Sequence, residues 1–287
     1  MVNQIIVNGI ILGSTYALIA LGLTLIFGIM NVLNFAHGQM YMVGTFVMYY
    51  TYGVYGYNFF IALLVTIFVL AIIGVIFERF FFRRLLYYAK REEVSMLLAM
   101  GSALLVENSA LIFFGEKRRG IKPIAEGVYN IFNAYIPVQR LIIFLMAILF
   151  IIIFLVLMQN TKTGRALRAL AQDKEVTYLM GVNVNRVSMI GFAAGAALAG
   201  ISGAILALIF PIFSGSGTGM SIKAFTMIMI GGAGVIPGAI IGGFILGMLE
   251  SIGYGLLGGS STYLVIYFGV IVFLIFRPNG IMGKPWG

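Results

Sequence analysis

"LIIFLMAILFIIIFLVLM", residues 141–158, runs for eighteen residues without a charge or a polar side chain. About 20 apolar residues in a helix cross a bilayer's hydrocarbon core. Lipid satisfies no open backbone group, so a spanning segment must be a helix or a strand of a closed barrel. This run is too long and too evenly apolar for a barrel strand, which alternates outward and inward residues. The rest of the 287-residue chain agrees: 61% is hydrophobic, 9% is charged, and the mean hydropathy is +1.07. Soluble domains carry roughly 25% charged residues. No Lys, Arg, Asp or Glu precedes Glu78. The expected fold class is all-α, a polytopic bundle of membrane helices forming one domain over residues 1–287.

Hydropathy and punctuation divide the chain into runs at 5–29, 38–56, 59–77, 94–115, 141–158, 188–210, 223–250 and 262–276. Five basic residues lie in 78–93 and five more in 160–187, two spans apart and so on one side; five others, in 116–140, lie opposite. The positive-inside rule makes the first two loops cytoplasmic. The net charge of +9 therefore reads as orientation beside lipid headgroups, and no nucleic-acid partner is expected. The chain has no cysteine, which excludes disulfides and thiolate metal sites. The start, "MVNQIIVNG", lacks the basic region of a signal peptide, so the first run is expected to be retained. At "GGAGVIPG", 231–238, glycine and proline cannot comfortably continue a helix. A turn back there leaves 223–230 as a short helix and brings the C-terminus inside; an unbroken 223–250 crossing leaves it outside. The count is eight or nine membrane elements. "GLTLIFGIMNVLNFAHGQMYMVGTF" and "AFTMIMIGGAGVIPGAIIGGFILG" both read as helix, break, helix, a pattern found in transporters built of repeats with discontinuous helices.

Between two such runs lies "NTKTGRALRALAQDKEVTYLMGVNVNR", 160–186. Thr163 is placed to cap a helix and Gly181 to follow its end. Arg165, Arg168, Gln172 and Glu175 share one helical face, while Leu167, Leu170, Ala171 and Tyr178 share a more apolar one. Asp173 interrupts the pattern and could cap a second short helix. The segment is too polar to insert and too regular for a slack loop, so it is expected to lie along the membrane surface. A rest among lipid headgroups and a docking element for a soluble protein both fit this pattern.

The letters carry more than the periodicity. "GRALRALAQDKEVTYLMGVNVNRVSMIGFAAGAALAGISGAI" resembles the cytoplasmic loop and following helix of branched-chain amino-acid ABC transporter permeases of the LivH type. "NGIILGSTYALIALGLTLIFGIMNVLNFAHGQMYMVGTF", "IGGAGVIPGAIIGGFILGMLES" and "FRPNGIMG" have counterparts in that family in the same order, whereas 79–93 and 116–137 do not. The resemblance implies a permease with discontinuous helices and a coupling helix in about 160–187, in a bacterial plasma (inner) membrane. It implies cytoplasmic ATPase subunits, a second related permease and an extracytoplasmic solute-binding protein as partners. Coupling to the ATPase would fall to Gly164, Arg165, Arg168, Ala169, Asp173, Met180 and Gly181. ATP and Mg would be bound by the partner ATPases and no cofactor by this chain, which has no G-x-x-x-x-G-K-[ST] loop. Branched-chain amino acids are the expected cargo. Related permeases that carry urea or short amides, and an ion-coupled carrier using Glu107 or His37, are the alternatives.

Several polar residues fall at membrane depth, where such groups usually face the protein interior or a path. Asn31, Asn34, His37 and Gln39 cluster at the first break; they could satisfy open helix ends, line the translocation path, or both. One histidine and no cysteine exclude a metal site there. Glu107, inside 94–115, is a path candidate or a hydrated group near the interface. Gly234, Gly238 and Gly242 recur every four residues, as do Gly243 and Gly247, with Ser251 and Gly255 beyond; Gly191 and Gly195 begin a similar stripe. Small residues at that spacing let membrane helices approach closely, within the chain or against a second permease. "FSGSGTG", 213–219, suggests a serine nucleophile, but no base accompanies it, and a flexible extracytoplasmic loop is the expected reading. No catalytic residue is expected in the chain.

Overall fold

The computed structural model describes residues 2–31, 34–84, 92–131, 133–259 and 261–283. Eleven helices form among them. α1 (Val2–Met30) is the central span and is buried along most of its length. α2 (His37–Met48) continues through a π-helical turn, Tyr49–Val54. α3 (Phe59–Ile76) starts at Asn58, whose side chain accepts from the Phe60 N–H, and runs on through a π-helical turn, Phe77–Phe82. α4 (Glu92–Phe114) and α5 (Val138–Asn160) follow. Two polar helices, α6 (Lys162–Gln172) and α7 (Lys174–Leu179), precede α8 (Val184–Leu206). α9 (Ser216–Gly231), α10 (Ile236–Leu256) and α11 (Ser261–Phe276) complete the chain. α1, α4, α5, α8, α10 and α3 with its π turn are long and apolar enough to cross a membrane. The shorter α11 is apolar as well, and α2 and α9 pack within the bundle on either side of the two breaks.

Contacts fix the two ends of the bundle. The Arg83 guanidinium pairs with Glu78 at 2.5 Å and donates to the Asn185 carbonyl at 3.1 Å. This joins the end of α3 to the start of α8, so the 78–84 and 160–187 regions share one end. At the far end a two-stranded antiparallel hairpin, β1 (Val128–Ile131) with β2 (Ala134–Pro137), stands in the loop before α5. Hydropathy gave no sign of it. Gln4 exchanges two hydrogen bonds with the Tyr135 backbone, and Arg140 donates to Asn8 at 2.6 Å, clamping the start of α1 to this end.

The second break is real and its cause is local. Gly232 and Gly234 have φ of +111° and +76°, values open mainly to glycine. Pro237 then sits in the first turn of α10, where its missing N–H costs nothing. The Ile281 and Met282 N–H groups donate to the Ile230 and Gly231 carbonyls at 2.8 and 3.0 Å, satisfying the open end of α9. The C-terminal segment thus returns to the end that carries α6 and α7, as a turn back at 231–238 requires. Three expectations need correction. α9 begins at Ser216 rather than near 223, so the second half of "FSGSGTG" is helix and not loop. Gly234 belongs to the break and not to a helical stripe. α8 stops at Leu206, short of the apolar run's end at 210.

Candidate functional site

The surface segment is two helices with a sharp bend. Thr161, two residues earlier than the expected Thr163, caps α6: its backbone is extended and its hydroxyl accepts from the Gly164 N–H at 2.9 Å. Asp173 ends α6 and caps α7, its Oδ1 accepting from the Glu175 and Val176 N–H groups at 2.8 and 2.9 Å. Gly181 follows α7 with φ of +80°. Asp173→Ala is expected to loosen α7 by about 1 kcal/mol, the usual worth of such a cap, read as faster amide exchange confined to 175–180.

The coupling residues expected from the resemblance divide into two groups. Gly164 and Arg168 turn to the chain's own α5. A Cβ on Gly164 would lie 2.5 Å from the Leu157 carbonyl oxygen, and the Arg168 guanidinium donates to the Met158 carbonyl. Both occupy the carbonyl end of α5, where a cation is also favoured by the helix dipole. Arg165, Ala169, Asp173, Met180 and Gly181 are exposed. Leu167 and Leu170 are buried as the apolar face demands. Tyr178, expected beside them, is instead 70% exposed, because the bend at Asp173 resets the helical phase. Leu179 and Met180 stand out with it at 80% and 78%.

Both helix breaks and both polar helices meet around one cavity of about 1200 Å³. Thr24 and Asn31 line it from the end of α1, Arg168, Gln172 and Lys174 from α6 and α7, and Pro237 from the second break. Asn31 has φ of +53°, which ends α1. Gly191 lets Ile29 of α1 and Leu167 of α6 meet against α8: a Cβ there would lie 2.9 Å from Leu167 and collide with Ile29. A displacement of α6 therefore reaches both α1 and α8 through packed side chains.

The other polar groups of the first break are sealed or tied. Asn34 serves the start of α2, its Oδ1 accepting from the Ala36 N–H and its carbonyl from the His37 N–H, both at 3.1 Å. His37 is fully buried and its Nε2 lies 3.1 Å from the Ile19 carbonyl, so Nε2 carries the proton. Gly22 makes room for the ring. Gln39 does not serve a helix end: its Nε2 donates to Glu107 of α4 at 3.0 Å and to Thr218 of α9 at 3.2 Å, while the Thr218 hydroxyl donates to Glu107 at 2.6 Å.

The glycine stripes are occupied within the chain. Gly238 and Gly242 face the backbone of α9, Gly243 and Gly247 the backbone of α1, and Gly195 faces Ile26 and the Gly22 carbonyl.

One charged cluster was absent from the sequence expectations. Lys223 of α9 pairs with Glu250 of α10 at 2.7 Å, and Tyr16 of α1 bridges them, donating to Glu250 at 2.6 Å and accepting from Lys223 at 2.8 Å. The Lys223 ammonium also lies 5.0 Å from the Tyr263 ring centroid, a cation–π distance. The available signal was two opposite charges in apolar runs on either side of the glycine break.

These features, a helical membrane bundle with two broken helices and a helical pair outside it, fit a permease. The family described as the branched-chain amino acid transport system / permease component matches residues 5–275. The chain belongs to this family. It is similar to the high-affinity branched-chain amino acid transport system permease protein BraD of Pseudomonas aeruginosa, 32% identical over 98% of this chain and 96% of that one. Escherichia coli LivH, of the same description, is 32% identical over 97% and 94%. A probable branched-chain amino acid transport permease protein LivH of Methanocaldococcus jannaschii is 30% identical over 99% and 93%. No solved structure gives a significant match. Members of this family are multi-pass membrane proteins that translocate rather than catalyse.

Proposed function

We propose that this chain is the permease subunit of an ATP-driven importer of branched-chain amino acids in a bacterial inner membrane. Cytoplasmic ATPase subunits bind ATP and Mg and grip α6 and α7; a second related permease completes the path, and a solute-binding protein delivers the amino acid from outside. The cargo rests on that of the similar branched-chain amino acid permeases. The basic loops at 78–93 and 160–187 orient the α6–α7 end towards the cytoplasm.

The observation that carries the reading is the outer face of α7. Val176, Tyr178, Leu179 and Met180 are exposed in and just after α7, and Arg165 of α6, exposed as well, offers forked donors. Exposed apolar side chains rimmed by polar ones mark interaction sites. Closure of the ATPases pushes α6, and the Ile29–Leu167–Gly191 contact passes the push to α1 and α8 at the edge of the cavity. Conformational work is done here and no bond is made or broken.

Leu179→Glu combined with Met180→Glu tests the docking face without touching the buried side of α6. Co-purification with the ATPase subunits is expected to weaken on the order of tenfold or more, the scale of losing a central contact, with uptake of labelled leucine falling in parallel. Retention of both partner and uptake by this variant excludes α7 as the docking element. Labelled urea in the same assay separates the amino-acid cargo from the amide alternative.

A further inference from the structure

Three carboxylates with described side chains lie within the membrane helices and their π turns. Glu78 is neutralised by Arg83 and Glu250 by Lys223. Glu107 has no cation partner among the described residues: it is held by two neutral donors, the Gln39 amide and the Thr218 hydroxyl, and both use Oε2. Among the described residues Oε1 accepts no hydrogen bond, and the residue is only half-buried. Two arginines of the following loop make other contacts. The Arg118 guanidinium lies 5.3 Å from the Phe213 ring centroid, and Arg119 donates to the Phe114 carbonyl while lying over Phe46 and Tyr49.

Glycines at the start of α9 stand beside this cluster, Gly215 next to Glu107 and Gly217 packed on the Gln39 amide. Gly215, Gly217 and Gly219 interleave with Ser216 and Thr218, and a Cβ on Gly215 would stand 3.8 Å from Glu107 Oε1. Gln39, 2% exposed, has a buried Oε1 with no hydrogen-bond partner. The cluster is thus rich in oxygen acceptors and carries one uncompensated negative charge. Charge of that sign at membrane depth is costly unless something pairs with it.

We propose that Glu107, with Gln39 and Thr218, receives a primary ammonium group, the α-ammonium of an amino acid in transit; this rests on the importer reading above. The two neutral donors hold the carboxylate through Oε2, leaving Oε1 to accept from the passing ammonium. Gly215, which places no side chain beside Oε1, leaves that oxygen open to the group. An alkali cation offers related chemistry, and the test separates the two.

The assembly isolated with its ATPase and binding-protein partners is reconstituted in proteoliposomes, and uptake of radiolabelled leucine is measured per assembled complex. Glu107→Gln keeps an acceptor for Thr218 and Gln39 but removes the charge; Glu107→Asp keeps the charge and shortens the tie. An ammonium site predicts that Gln lowers uptake on the order of tenfold or more, the scale of one lost hydrogen bond to a charged group, and that Asp lowers it less. A purely structural tie predicts the reverse order, and that order, or equal loss in both, overturns the proposal. Replacing sodium and potassium with choline is expected to leave unaltered uptake unchanged; a fall of the same tenfold order assigns the carboxylate to an alkali cation and also overturns it. If the unaltered assembly takes up no labelled amino acid with ATP, the importer reading itself falls and this site with it.

Discussion

Lys223→Met, made alone, is expected to destabilise the folded chain by about 3–5 kcal/mol, the cost of stranding one partner of a buried ion pair. Glu250 is 1% exposed and would keep the Tyr16 hydroxyl but lose its cation. Glu250→Gln alone strands the ammonium in turn. The double variant removes both charges, and replacing a buried pair with uncharged groups of similar volume is often neutral. It should therefore unfold near the unaltered protein. Tyr16→Phe keeps the ring over Lys223 but deletes a hydrogen bond to each charge, and hydrogen bonds to charged groups are worth about 1.5–3 kcal/mol each. Unfolding in mixed detergent followed by far-ultraviolet circular dichroism reads all four. Single variants as stable as the parent would mean that water reaches the pair, for which Lys223, its side chain 16% exposed, offers the only opening among the three groups. The cluster joins α1, α9 and α10 in one contact, so the two arms of the second break are tied to the central span at a point remote from the break itself.

The membrane helices were legible because lipid admits few alternatives: an uncharged run such as 141–158 has to be a helix. The breaks were legible for a similar reason, since Gly232, Gly234 and Pro237 cannot prolong α9. Asp173 announced the bend between α6 and α7 because a short acceptor followed by N–H donors has one obvious use. What the letters did not reveal is three-dimensional pairing. Nothing in the 116–140 loop signals that Arg140 reaches Asn8 or that Arg119 stacks on Phe46. Those contacts explain why five basic residues at that end weaken the orientation signal: some are bound into the fold and not held for headgroups. Glu107 and Gln39 could be named as polar groups at depth, but not as neighbours, because Thr218 joins them from a helix start that hydropathy placed in a loop. The inward turn of Arg168 was hidden likewise. On a helical wheel it matches Arg165, and only the carbonyl end of α5 distinguishes them.

The glycines of α10 allow the sharpest contrast between substitutions that look alike in sequence. A Cβ on Gly243 would lie 2.5 Å from the backbone N and 2.6 Å from the Cα of Ala17, and one on Gly247 2.5 Å from the Cα of Gly13. Those neighbours are the backbone of α1, the most buried span, and neither can swing aside. Overpacking usually costs about 1–3 kcal/mol, occasionally more. Gly243→Val should reach about 3 kcal/mol or beyond, because relief requires two whole helices to separate and their other small-residue contacts to open. Gly255, on the same stripe, meets only the flexible end of the Ile5 side chain at 2.6 Å, so Gly255→Ala should cost less than about 1 kcal/mol. Gly269 of α11 has nothing within 4 Å, and Gly269→Ala should stabilise its helix by up to about 1 kcal/mol through propensity alone. Detergent unfolding midpoints ranked Gly269→Ala, parent, Gly255→Ala, Gly243→Val are the expected result. A Gly243→Val protein that unfolds with the parent would show α1 and α10 to be farther apart than this packing allows, and would release that face for a neighbouring permease.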